Sequence, residues 1–270
     1  MRHCLLQLGK TNYKKTQTKR NNIQSLKTTI MTTLARIAIA LLVALFASSC
    51  NFDVNFGSGK KGNGDVVEEY RSVSEDFQVV SASEGLDVFV TQDKDFSISV
   101  EADENVIDLI ATDIKDGKLR IHTLENIGRA TKNVYVTLPQ IEALKSSSGA
   151  DLIVQNVVSS ESIELDASSG SDLQVELVAT QVSADASSGA DIRVSGEAKT
   201  LIADASSGAD IRAKALQVED CNAEASSGAD INVNVSKTLV ANASSGADIS
   251  YTGDASVQKR KSSSGSVHKY

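Results

Sequence analysis

Six aspartates, Asp151, Asp172, Asp191, Asp210, Asp230 and Asp248, each stand two residues after the glycine of an SSG triplet. A regular column of carboxylates has two chemistries open to it. One is a solvated, self-repelling face that keeps the molecule soluble and discourages lateral sticking. The other is a ladder in which neighbouring acids share divalent cations, calcium above all, because calcium takes several carboxylate and carbonyl oxygens at about 2.3–2.6 Å. At one strand spacing, about 4.8 Å, two ionised carboxylates repel by about 0.9 kcal/mol in water and about 3.5 kcal/mol at an effective dielectric of 20. A diffuse ladder of this kind holds calcium weakly and does not distinguish it sharply from magnesium. No other cofactor is expected. The serines are poor nucleophiles: SSG is not a GxSxG elbow, and after Cys50 only His122 and His268 could act as a partner base.

The elements that position the aspartates follow from the period. The triplet glycines are Gly149, Gly170, Gly189, Gly208, Gly228, Gly246 and Gly265, at intervals of 21, 19, 19, 20, 18 and 19 residues. After each aspartate comes an aliphatic residue (Leu152, Leu173, Ile192, Ile211, Ile231, Ile249), and two places on Val154, Val175, Val194, Ala213, Val233 and Tyr251. This alternation is that of a strand, and nothing between the glycines recurs at helical spacing. A repeat of about 19 residues cannot bury a face alone, so repeats must stack. The stack must be thin: no Phe, Tyr or Trp lies between Val136 and Ser250, and the positions five and three before the glycine become Ala184 and Ala186, Ala203 and Ala205, Ala223 and Ala225, Ala241 and Ala243. Such residues cannot fill the ~10 Å between the sheets of a sandwich. The expected fold is all-β, a parallel β-helix or solenoid with one coil per repeat, regular over about 141–267, the SSG triplets marking its corners.

A second column, four residues before each glycine, reads Lys145, Asp166, Asp185, Asp204, Glu224, Asn242, Lys261, with lysines at both ends as end rungs require. Lys259, Arg260 and Lys269 place positive charge where a bare strand edge would invite another chain to pair. Between about Tyr70 and Gln140 the pattern is strand-like but irregular, with larger side chains such as Phe77, Phe89, Phe96 and Tyr135, a short helix or turn near "NVIDLI", and a hairpin around Asp116-Gly117.

The segment Met31–Cys50, "MTTLARIAIALLVALFASSC", has a positive start, a short apolar run and small residues before a cysteine, the pattern of a secretory signal too short to span a membrane. Its ending resembles a bacterial lipobox, with Cys50 as the acylated residue. Residues 1–49 are therefore expected to be removed, with translation starting at Met31, and 50–69, rich in Gly, Asn, Lys and Ser, to form a lipidated tether ahead of a single domain over 70–270. Loss of residues 1–49 leaves 19 basic and 35 acidic side chains, a net charge of −16. Such an acidic body argues against nucleic acid as a partner. Cys221 is then left without a disulfide partner and reads as a structural thiol.

The run from Val73 to about Thr123, with "EGLDVFVTQ" and "DFSISVEADENVIDLIATDIKDGKLRIHT", followed by the "SSGADI" rungs, resembles the auto-transporter adhesin "head GIN" domain family (DUF2807) of lipoproteins from Bacteroidetes and related bacteria. The resemblance covers about 70–265 and implies a right-handed β-helix, an exported protein and an adhesive role. It places Gly85, Leu86 and Asn105 at the family's glycine, isoleucine and asparagine positions, Leu86 departing from isoleucine, and it brings no catalytic residues.

The expected function is that of an exported, lipid-anchored module of the cell envelope, an outer-membrane lipoprotein on its periplasmic or outer face, held to the membrane by Cys50. Its candidate binding face is the column Asp151, Asp172, Asp191, Asp210, Asp230 and Asp248, and its partner class a glycan or a surface protein. Two alternatives stand beside it: a polysaccharide-processing enzyme built on a β-helix, and a structural rod that binds divalent cations through the ladder. Catalysis needs unlike groups converging in a cleft, whereas here like residues repeat from rung to rung and Arg193 and Arg212 are the only arginines between Gly149 and Gly246.

Overall fold

In a computed structural model of the chain, residues 59–259 and 264–270 are described. The expected signal, Cys50 and Lys261 lie outside the described residues. The first half of the body contains β1 (Val66–Arg71), β2 (Val79–Ala82), β3 (Asp87–Gln92), β4 (Ser97–Asp103), a 3₁₀ turn (Ile107–Leu109), β5 (Ile110–Lys115), β6 (Lys118–Thr123), β7 (Lys132–Leu138), β8 (Ala143–Ser147) and β9 (Asp151–Val154). The second half contains β10 (Val158–Ser168), β11 (Asp172–Ser187), β12 (Asp191–Ala205), β13 (Asp210–Ala225), β14 (Asp230–Ala243), β15 (Asp248–Thr252), β16 (Ser256–Lys259) and β17 (Ser266–Lys269).

These strands stack as a parallel β-solenoid with two walls. The first wall runs β1-β4-β7-β3-β9-β11-β12-β13-β14-β15-β17, and the second runs β5-β6-β2-β8-β10-β11-β12-β13-β14-β16. Strands β11 to β14 are long because each bends around the side opposite the SSG corner and serves both walls. The inward residues form in-register columns. On the first wall Leu152, Leu173, Ile192, Ile211, Ile231 and Ile249 stack with none of their surface exposed. Facing them, the second wall offers Ala184, Ala203, Ala223 and Ala241 and, nearer the corner, Ala186, Ala205, Ala225 and Ala243. The second wall also carries a column of larger buried residues, Val182, Leu201, Cys221 and Leu239. Each buried Leu or Ile contributes about 1.5–3 kcal/mol.

The N-terminal irregularity has a topological cause. Strands β2 and β3 form a first coil, with β8 and β9 stacked on one side of it and β6 and β7 on the other. The chain therefore lays down one coil, turns back to build the end of the stack, and then returns to continue it. The end is closed by antiparallel pairs, β4 on β7, β1 on β4 and β5 on β6. The β5–β6 hairpin turns at Asp116-Gly117, both at positive φ (52° and 74°), as the sequence suggests.

The ordered body starts earlier than the expected boundary at Tyr70. Buried Asp103 accepts from the N–H groups of Gly64 and Thr131, and Asn105 accepts from the Asn63 N–H at 3.0 Å and donates to the Lys61 carbonyl at 2.8 Å. Residues 60–65 are thereby strapped onto the end of the solenoid, where polar composition alone suggests a free tether. Cys221 occupies a second-wall core position between Leu201 and Leu239, and burial pushes its thiol up to about 12.

Candidate functional site

The six SSG triplets that end in Gly149, Gly170, Gly189, Gly208, Gly228 and Gly246 share one corner backbone. The second serine and the glycine both take positive φ, as in Ser188 (55°) with Gly189 (72°) and Ser207 (55°) with Gly208 (72°). Two successive left-handed residues make a turn of the I′ kind, closed by a bond from the following alanine N–H to the first serine carbonyl: Ala190 to Ser187 and Ala209 to Ser206, both 3.2 Å. The glycine N–H donates to the serine carbonyl of the next rung, Gly189 to Ser207 at 3.2 Å and Gly208 to Ser227 at 3.1 Å. Main-chain bonds therefore hold the corners together, and the hydroxyls of Ser148, Ser169, Ser188, Ser207, Ser227 and Ser245 point to solvent without a protein partner. None of them reaches His122, which is paired with Asp113 at 2.8 Å, or His268.

After the corner the alanine turns inward and the aspartate outward. Parallel in-register pairing then lines up all six expected aspartates on the outer face of the first wall. It also adds a seventh that the triplet pattern misses: Asp87 pairs with Asp151. Asp87 follows Gly85 by two residues, and Glu84 and Gly85 (φ 65° and 68°) repeat the corner geometry, with Ser83 in the place of the first serine and Glu84 in that of the second. Leu86 is fully buried behind that corner.

The middle of the ladder is not a row of bare carboxylates. Arg193 and Arg212 lie on the same outer face, two residues along from Asp191 and Asp210, and each guanidinium spans two rungs. Arg193 holds Asp172 at 2.7 Å and Asp191 at 3.0 Å; Arg212 holds Asp191 at 3.0 Å and Asp210 at 2.6 Å. The result is a chain of Asp172–Arg193–Asp191–Arg212–Asp210 in which charges alternate. The sequence weighs a purely solvated face against a cation ladder; in this stretch two guanidinium groups lie between the acids.

The flanks lack this relief. Burial first, then the carboxylates of Asp87 and Asp172, push Asp151 above the usual range, against the pull of Arg193. Burial and then Asp210 and Asp248 do the same to Asp230, opposed by a bond from the Asp248 main chain. The second acidic column, on the outer face of the other wall, stacks Asp166, Asp185, Asp204 and Glu224, with Lys145 closing its N-terminal end at 2.7 Å from Glu164 and 3.7 Å from Asp166. Asp185 and Asp204 are also raised, by burial and then by neighbouring acids.

Among the described residues no group of three or more His, Cys, Asp or Glu side chains is placed to hold a metal ion. None of their helices is long and apolar enough to cross a membrane. Toward the N-terminal end the same outer face carries a stacked pair, Phe89 and Tyr135, with ring centroids 5.2 Å apart, and the Tyr135 hydroxyl donates to Glu101 at 3.0 Å. The arrangement is an open, repeating, charge-alternating surface with an aromatic patch at one end, suited to lying along an extended partner.

The solenoid is shared with crystal structures of a "putative adhesin" from Bacteroides fragilis NCTC 9343 (15% identity, covering 78% of this chain and 100% of that one, TM-score 0.72). It is also shared with one from Parabacteroides distasonis ATCC 8503 (21%, 78% and 99%, TM-score 0.67), and with one from Parabacteroides merdae ATCC 43184 (18%, 78% and 98%, TM-score 0.65). At these identities the likeness is one of fold. A search of curated proteins found no match. Residues 76–255 match the family described as "Putative auto-transporter adhesin, head GIN domain". With more than half of its length so matched and its coils stacked as a parallel solenoid, the chain belongs to the head GIN domain family (DUF2807).

Proposed function

We propose that the protein is an exported, lipid-anchored and non-enzymatic binding module of the cell envelope, and that it engages a glycan or surface protein through the outer face of its first wall. The observation that carries this reading is the Asp172–Arg193–Asp191–Arg212–Asp210 chain: like groups repeat at strand spacing along an open surface, a geometry for multivalent contact, whereas catalysis gathers unlike groups in a cleft. Membership of an adhesin-like family supports a binding role. The segment ending in Cys50 supports anchoring in the outer membrane, and several acyl chains together hold firmly where one does not.

The cation-binding rod is a second reading, favoured by the raised aspartates on the flanks of the ladder, Asp151 and Asp230. It confines a weak, millimolar effect of calcium or magnesium to those flanks.

Two experiments test the proposal. Cys50→Ala should move the protein from the membrane to a soluble fraction; equal membrane retention contradicts the anchor. Incubation with acidic and neutral glycans should show retention without products, and reproducible cleavage lost on changing a single rung overturns the non-enzymatic assignment.

A further inference from the structure

The two ends of the first wall are β1 and β17, and among the described residues each has one edge with no strand paired to it. We propose that copies of this chain associate head to tail, the free edge of β17 in one copy pairing in parallel with the free edge of β1 in the next.

Strand polarity permits it. Strand β4 is antiparallel to both β7 and β1, so β1 runs in the same sense as β7, β3 and every later strand of the wall, including β17. End-to-end stacking therefore continues the wall as parallel sheet without reversing a strand.

The edge of β1 is also unlike a protective cap. All of Val66–Tyr70 is exposed, on both faces of the strand, with Val66 at 47%, Val67 at 37% and Tyr70 at 73%. At the other end Tyr270, whose N–H continues the ladder by donating to the Tyr251 carbonyl, is 67% exposed. Exposed, partly apolar edges of this length are pairing sites.

Register and charge select the partner. Tyr70 and His268 stand at the two ends of one longitudinal column on the outer face, through Ser99, Tyr135, Phe89, Ile153, Gln174, Arg193, Arg212, Asn232 and Ser250. Straight stacking would set Arg71 against Lys269. A slide of two residues keeps every side chain on its own face, as a slide of one would not. It sets Val67 against Val267, Glu68 against His268, Glu69 against Lys269 and Tyr70 against Tyr270. Two β1 strands paired antiparallel about their centre would instead oppose Glu68 to Glu68 or Glu69 to Glu69, which is unfavourable. The charges that guard each end against its own kind thus favour the opposite end. Because the contact is heterologous, it yields open filaments and not closed dimers.

The full chain in mild detergent, followed by light scattering across a concentration series, should show a mass-average that rises past the dimer with concentration. The rise should shrink in 1 M salt, where the Debye length is about 3 Å. A zero-length carbodiimide should give an intermolecular Glu69–Lys269 link. Glu68→Lys with Glu69→Lys, and separately His268→Glu with Lys269→Glu, should each remain monomeric at concentrations where the parent associates, and mixing the two variants should restore association. A monomeric mass throughout the series, a plateau at two copies, or undiminished association of either variant overturns the proposal.

Discussion

Replacing Arg193 and Arg212 together by glutamine tests how the aspartate column is tolerated. The change removes four ion pairs of 2.6–3.0 Å. Both arginines are 43% exposed, so each pair belongs with surface bridges, about 0.2–1 kcal/mol apiece, taken in the lower half of that range. The loss also unmasks the repulsion of Asp172 with Asp191 and of Asp191 with Asp210, about 0.9 kcal/mol per pair at strand spacing in water. Together these give a destabilisation of about 2–4 kcal/mol at low ionic strength. Urea melts should show that loss, and 1 M salt should at least halve it by screening the repulsion. Adding Asp191→Asn, which removes the central carboxylate, should recover about 1–2 kcal/mol, because both unmasked repulsions involve it. A loss below about 0.5 kcal/mol without salt dependence, or further destabilisation on adding Asp191→Asn, would refute the clamp.

Ile211→Ala should cost about 2–5 kcal/mol in the same melts, since Ile211 is wholly buried in the first-wall column, whereas Ser206→Ala at the neighbouring corner should cost far less. Gly208→Ala should cost about 1–2 kcal/mol from conformation alone, because an added Cβ meets nothing within 4 Å while φ is 72°. Asp185 and Asp204 sit above the usual carboxylate range, so ionisation disfavours the folded state. That deficit is fully present above the folded pKa and relieved as pH falls through it toward the unfolded value. Denaturation at pH 7, 5 and 4 should therefore show a larger gain on acidification in the parent than in Asp185→Asn with Asp204→Asn; identical pH profiles would contradict it.

Much of the solenoid is legible in the sequence because the corner needs two left-handed residues in a row, and Ser-Gly meets that need at six successive corners, from Ser148-Gly149 to Ser245-Gly246. The aspartate column follows directly, since in-register parallel stacking turns equal spacing into adjacency. Asp87 escapes the pattern because Glu84 replaces a serine at its corner, although the glycine and the two-residue offset are both present. The turned-back N-terminal coils escape it because the antiparallel pairs β1–β4 and β4–β7 link segments far apart in sequence and leave no period. The arginine clamp was visible in principle: Arg193 and Arg212 share one offset from their glycines, and same-face alternation puts them beside the acids. It becomes compelling only once each guanidinium is seen to reach back one rung. The strap over 60–65 depends on buried Asp103, whose role no local pattern announces.

The binding role of the first wall is tested most directly by comparing faces. Cells displaying the parent, a first-wall variant (Gln174→Ala, Asp191→Ala, Arg193→Ala, Arg212→Ala) and a second-wall control (Ser183→Ala, Asp185→Ala, Ile202→Ala) are assayed for adhesion to immobilised glycans and envelope proteins, with surface level and thermal melt matched. Adhesion lost in the first-wall variant and kept in the control is the predicted result; adhesion unchanged in the first-wall variant, or lost only in the control, would contradict it.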